Sequence, residues 1–110
     1  MEFSFETREV RLLCESEDEA RRQFGPEIAE ALKHRLADLR AAASIQDLPT
    51  MAPEPLPESG GRHMSVALPQ GFSLNFAPGH PTIPVTDDGN VDWPRVNRIR
   101  ILGVTRGADD

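Results

Sequence analysis

His63-Met64-Ser65-Val66-Ala67-Leu68-Pro69-Gln70-Gly71-Phe72-Ser73-Leu74-Asn75-Phe76 is the stretch whose pattern decides the fold. On each side of Pro69-Gln70-Gly71, apolar and polar residues alternate with the period of a half-buried strand. Met64, Val66 and Leu68 share one face before the break. Phe72, Leu74 and Phe76 share one after it, which puts Ser73 and Asn75 on the polar face. Two such runs joined by a tight turn predict a β-hairpin.

Working outward toward the C-terminus, residues 77–94 read as a loop punctuated by Pro78, Pro81, Pro84 and Pro94, with a turn at Asp87-Asp88-Gly89-Asn90. Val96 to Val104 reads as a closing strand with Ile99 and Ile101 on one face and Arg98 and Arg100 on the other. Residues 107–110 read as a loose tail. Toward the N-terminus, residues 49–61 carry Pro49, Pro53, Pro55, Pro57 and Gly60-Gly61, which suit a surface linker and neither a helix nor a central strand. Before it, Ile28, Leu32, Leu36, Leu39 and Ala43 recur every three or four residues from Pro26 onward, the apolar stripe of a helix. Gly25-Pro26 ends one helix and starts the next. The preceding helix is read from an N-cap at Thr7 through Val10, Leu13, Cys14, Ala20 and Phe24, with a charged, frayed or wet turn at residues 15–19. Glu2-Phe3-Ser4-Phe5-Glu6 alternates as an opening strand. The order β-α-α-β-β-β, in a single domain over residues 1–110, predicts an α+β fold with a helical hairpin on a small, mostly antiparallel sheet.

Composition narrows the function classes. At 110 residues, 38% hydrophobic and 27% charged, the chain suits one soluble domain with one modest core. No apolar run approaches the ~18 residues of a membrane span. The acidic N-terminus is unlike a secretory signal, and a lone Cys14 excludes an internal disulfide or a cysteine-built zinc site. These features read as cytoplasmic, with no membrane partner. The net charge of −6 disfavours bulk attraction to nucleic acid, although 11 of the 12 basic residues are arginine and a local cluster survives such a balance. Residues 1–30 hold most of the excess acid, which reads as the solvated face of the first helix.

Candidate site residues are few. His34 reads as a solvated helix residue and His80 as a loop residue with no acid close in sequence. His63 is either a strand-end polar residue or part of a site. Arg98 and Arg100 share a strand face near Arg62, either as snorkelling edge residues or as forks for a phosphate or an acidic segment. No histidine pair has metal-ligand spacing and no glycine-rich phosphate loop follows a strand, so neither metal nor cofactor is expected.

The chain resembles the HigB-like "killer protein" branch of the RelE/ParE superfamily of type II toxins. The resemblance is carried by Phe3 to Phe5, Leu36-Ala37-Asp38-Leu39-Arg40-Ala41-Ala42, Ile45-Gln46-Asp47-Leu48-Pro49 and Ser65-Val66. It continues through Leu74-Asn75-Phe76-Ala77-Pro78, Gly89-Asn90-Val91-Asp92 and Val96-Asn97-Arg98-Ile99-Arg100-Ile101-Leu102. It implies a RelE/ParE-like fold, a helical hairpin on a curved antiparallel sheet, and a cognate antitoxin as partner. It also implies a metal-independent endoribonuclease that cuts mRNA on the ribosome. In that chemistry a base activates the 2′-hydroxyl, cations stabilise the phosphorane and an acid protonates the leaving oxygen. A ParE-like inhibition of DNA gyrase has no supporting residue.

The departures fall on the chemistry. The family's His-Pro-Leu-Lys-Gly stands here as Glu54-Pro55-Leu56-Pro57-Glu58, its strand arginine as Ser73, and its closing Asp-Tyr-His as Arg106-Gly107-Ala108. Arg62, His63, Arg98 and Arg100 are the remaining candidates for a catalytic site. The resemblance thus leaves two expectations: a ribonuclease toxin with degenerate catalytic positions, or a non-catalytic toxin-fold module that binds an antitoxin or another protein.

Overall fold

The computed structural model describes residues 1–48, 53–56 and 59–106. The elements run β1 (Glu2–Phe5), α1 (Arg8–Glu15), α2 (Glu17–Phe24), α3 (Pro26–Ala41), β2 (Glu54–Pro55), β3 (Met64–Ala67), β4 (Phe72–Pro78) and β5 (Arg98–Arg106). The class is α+β. One layer holds the helices, and the other is a mixed five-stranded sheet of order β1-β5-β4-β3-β2. All its pairings are antiparallel except β1 with β5, which is parallel.

The helix expected over residues 7–24 is two helices. Ser16 has extended dihedrals (φ −121°, ψ 112°) and serves both ends of the break. Its N–H closes α1 on the Leu12 carbonyl, and its hydroxyl accepts from the Glu19 N–H at 3.2 Å to open α2. The run from Glu15 to Glu19 supplies no apolar residue to hold a continuous helix against the core, so the serine cap wins. At the next junction Gly25 takes φ +88°, which a side chain disfavours, and Pro26 starts α3. The acids of this region are matched locally: Glu17 meets Arg21 and, at 2.8 Å, Lys33 of α3, while Glu19 meets Arg22.

The core is the meeting of α3 with the sheet. Ile28, Leu32, Leu36 and Leu39 are buried against Val66, Leu74, Phe76, Ile99 and Ile101. Each such side chain contributes about 1.5–3 kcal/mol on leaving water. A register shift between Asn75 and Phe76 pairs Phe76 with Ile101 and Asn75 with Gly103, so Leu102 is the extra residue of a bulge. The hairpin read from the sequence is present as β3 and β4, with Met64 opposite Phe76 and Ala67 opposite Ser73.

Three boundaries differ from expectation. β4 runs on through Pro78, so the loop begins at Gly79. Within it Val85 bridges Val91 and a 3-10 turn spans Trp93–Arg95. The last strand starts at Arg98 rather than Val96, because the Val96 N–H closes that turn on Trp93 and the Asn97 N–H is taken by His80. The linker contains β2, a two-residue edge strand. Proline is tolerated there because an edge strand needs hydrogen bonds on one side only. The expected loose tail at 107–110 lies outside the described residues, as do parts of the linker at 49–52 and 57–58. Among the described residues no helix is long and apolar enough to cross a membrane.

Candidate functional site

The face of the sheet away from the helices gathers the polar residues of the strands, and the candidate residues divide across it. Arg98 and Arg100 lie on β5 beside β1, opposite Glu2 and Ser4 in register. Arg98 Nε is 3.4 Å from a Glu2 carboxylate oxygen, and Arg100 Nε is 2.8 Å from Glu6. Alternation sets the face: Glu2 and Ser4 lie on one side of β1 with Glu6 just past its end, and the parallel neighbour presents Arg98 and Arg100 to the same side. The Arg100 contact is close but lacks hydrogen-bond alignment at that nitrogen. Both pairs are solvent-accessible and each contributes little stability. Their effect is to cancel the positive field that a phosphate would seek.

His63 and Arg62 lie on the other side of β4. Arg62 is exposed on the turn that leads into β3, its N–H bonded to the Ser59 carbonyl. The His63 N–H is held by the Ser59 hydroxyl at 3.0 Å, and its carbonyl accepts from Leu56. Continuing the register past Met64 sets His63 opposite Ala77, whose other neighbour is Arg100. The two candidates therefore share a row two strand spacings, roughly 10 Å, apart. Arg98 falls outside that row. Glu54 is exposed on β2 opposite Ser65.

The other two histidines have structural partners. His34 pairs with Glu30 one helical turn away at 3.0 Å. His80 Nε2 accepts the Asn97 N–H at 3.1 Å, which ties the start of the long loop to its end. Among the described residues no group of three or more His, Cys, Asp or Glu side chains is placed to hold a metal.

Three residues not singled out as site candidates, Asn75, Glu2 and Glu6, also matter on this face. Asn75 is 7% exposed, and its Nδ2 donates to the Thr105 hydroxyl at 2.9 Å while its Oδ1 has no partner among the described residues. Glu2 and Glu6 were legible as partners, since their spacing of four matches an alternating acidic strand beside the alternating arginines of β5. The missing signal was that the first and last strands are neighbours.

Cys14 lines a separate cleft of about 280 Å³ between the helices, with Leu13, Ala20, Leu32 and Leu36. Burial pushes its thiol up to about 11, and the nearby Glu15 carboxylate adds to this while Arg40 opposes it. The thiolate is the reactive form, so alkylation of Cys14 should rise through pH 11 and not through pH 9. At pH 9 iodoacetamide is expected to label the folded protein roughly fifty-fold more slowly than the urea-unfolded chain. Equal rates would show the thiol to be solvated.

Compared with family models, curated proteins and solved structures, the chain matches none of them.

Proposed function

We propose that this protein is a HigB-like member of the RelE/ParE superfamily, the toxin-fold half of a type II toxin–antitoxin pair, and that it acts by binding a protein partner with its ribonuclease chemistry lost. The observation that carries the second half is the neutralisation of Arg98 by Glu2 and of Arg100 by Glu6. A phosphorane needs uncompensated cations held close to it, and the strand that supplies these two arginines lies beside the strand that supplies their counter-ions. The α+β architecture, with an opening strand, a helical layer and then paired strands, agrees with what the motif order implies for that superfamily. Among the described residues β1 is hydrogen-bonded on one side only, and that edge is a surface onto which a partner segment can add as a further strand.

A second reading is favoured by one observation. His63 and Arg100 share a row on the sheet, with only the small Ala77 between them. In an active endoribonuclease His63 would serve as the base or acid and Arg100 as the cation, once Glu6 released it. One experiment separates the readings. The protein is induced in a bacterial host with and without the product of its neighbouring open reading frame, and mRNA ends are mapped on translating ribosomes. The expected result is co-purification of the two proteins and no in-frame cleavage. Cleavage that both His63→Ala and Arg100→Ala abolish would overturn the binding-only assignment.

A further inference from the structure

We propose that the free edge of β1 pairs with β1 of a second copy of this chain, antiparallel and about a two-fold axis through Ser4, so that two sheets join edge to edge. Glu2-Phe3-Ser4-Phe5-Glu6 reads the same in both directions. A two-fold axis at Ser4 therefore sets Ser4 opposite its own copy, Phe3 opposite Phe5 of the second copy, and Glu2 opposite Glu6 of the second copy. The proposal stands on the register of β1 and not on the toxin assignment; a partner segment added to this edge would compete with the second copy.

The hydrogen-bonding phase of the strand fits that axis. β1 is an end strand, and among the described residues only β5 pairs with it. The Glu2 N–H donates to the Asn97 carbonyl at 3.1 Å and the Glu6 N–H to the Ile101 carbonyl at 2.9 Å. Successive residues of a strand turn their main-chain groups to opposite sides, so Ser4 bonds inward with these two, and Phe3 and Phe5 turn their N–H and C=O groups to the free edge. Across the axis Ser4 then forms a non-hydrogen-bonded pair. Phe3 and Phe5 form the flanking pairs, each exchanging two N–H···O bonds. An axis through Phe3 would set Phe5 beside Met1, and one through Phe5 would set Phe3 beside Thr7, where the strand has ended. Only the axis at Ser4 keeps every ring opposite a ring.

The side chains suit the same pairing. Phe3 and Phe5 are half-buried and meet edge-to-face with centroids 6.4 Å apart, and the second copy extends them into a row of rings that covers apolar area still in contact with water. On the opposite face Glu2 comes beside Glu6 of the second copy. Like charges placed so usually keep two edges apart. Here each carboxylate has its own arginine on the inner side, Arg98 for Glu2 and Arg100 for Glu6, so a row across the junction carries no net charge. The compensation that denies a phosphate its field is what lets two acidic edges meet. A pairing of a few residues buries less than the ~1,000 Å² of a permanent interface, so the expected dissociation constant is about 10–100 μM.

The test combines sedimentation of the full chain with disulfide trapping in a Cys14→Ser background, since Cys14 is the one cysteine. Ser4→Cys sets two thiols across the axis with Cα atoms about 4.5 Å apart, inside the ~4.4–6.8 Å that a disulfide spans. Glu2→Cys sets its two thiols four residues apart along the paired strands, roughly 13 Å and out of reach. Under copper phenanthroline, Ser4→Cys is expected to cross-link about tenfold faster than Glu2→Cys or more. Phe3→Pro removes an outward N–H and none of the bonds to β5, and should weaken association by about tenfold or more while thermal melting shows the monomer folded. The proposal is overturned if the parent sediments as a monomer at ~500 μM, well above the expected constant. It is equally overturned if Ser4→Cys cross-links no faster than Glu2→Cys, or if folded Phe3→Pro associates as the parent does. Should Phe3→Pro fail to fold, the two cysteine variants decide.

Discussion

Phe76→Ala is expected to remove about 3–5 kcal/mol of folding stability. Phe76 is fully buried at the centre of β4, between Met64 of β3 and Ile101 of β5. It is also where the sheet grips the long loop. Its ring meets Trp93 edge-to-face, with centroids 6.0 Å apart and planes at 83°. The Trp93 indole in turn donates to the Gly61 carbonyl at 3.1 Å, just ahead of β3. Truncation removes a large apolar side chain from a site with covalently fixed neighbours on both strands, so the cavity does not collapse readily. A domain of this size has roughly 5–15 kcal/mol in total, so the loss is a large share of it. Urea unfolding followed by the emission of Trp93, the chain's one tryptophan, should show a midpoint lower by roughly 2 M with an unchanged slope. A loss below about 1.5 kcal/mol would mean that the aromatic contact does not join core to loop as described. Phe76→Leu should recover most of the deficit, since it refills much of the volume.

Gly79→Ala is expected to cost about 1–3 kcal/mol, for a reason that has nothing to do with backbone freedom. A Cβ at Gly79 would lie 3.0 Å from the Ile99 carbonyl carbon, 3.1 Å from the Arg100 nitrogen and 3.2 Å from the Ile99 oxygen. All three are main-chain atoms of β5, which cannot rotate away as a side-chain tip can. The strand has to shift, and with it the bond from the Gly79 N–H to the Arg98 carbonyl at 2.8 Å. The same change at Gly25 meets open space, so there the penalty is only that of a positive φ. Amide hydrogen exchange separates the two: Gly79→Ala should deprotect Gly79-to-Arg100 amides near the start of β5, whereas Gly25→Ala should leave them unchanged. Normal protection in Gly79→Ala, with stability within about 0.5 kcal/mol of the parent, would sink the close-approach account.

The elements with an unbroken local period are legible along the chain. Of the stripe Ile28, Leu32, Leu36, Leu39 and Ala43, the first four are buried while Ala43 is exposed past the end of α3, and the β3–β4 hairpin pairs where its alternation places it. The first helix is less legible because its middle is polar on every side, and a hydroxyl at Ser16 then decides the break. Asn75 shows where alternation misleads. It lies on the polar side of β4, yet a central strand with a bulge buries both faces, and the amide must find Thr105. The two-residue β2 carries no periodic signal; two residues are too few for alternation to show.

The candidate site divides along the same line. The residue types on each strand face, including the pairing of Arg98 with Arg100, follow from a period of two and are present in the chain order alone. Which strands lie side by side does not follow from any local pattern. β1 and β5 are about a hundred residues apart in sequence and meet in parallel, a contact that only the closed packing of the helical layer on the sheet brings about. That one adjacency sets Glu2 and Glu6 against the arginines. Periodicity is a property of a few consecutive residues, so it settles the class of the fold and the face of each side chain. Charge compensation is a property of neighbours in space, so it is decided in the tertiary structure.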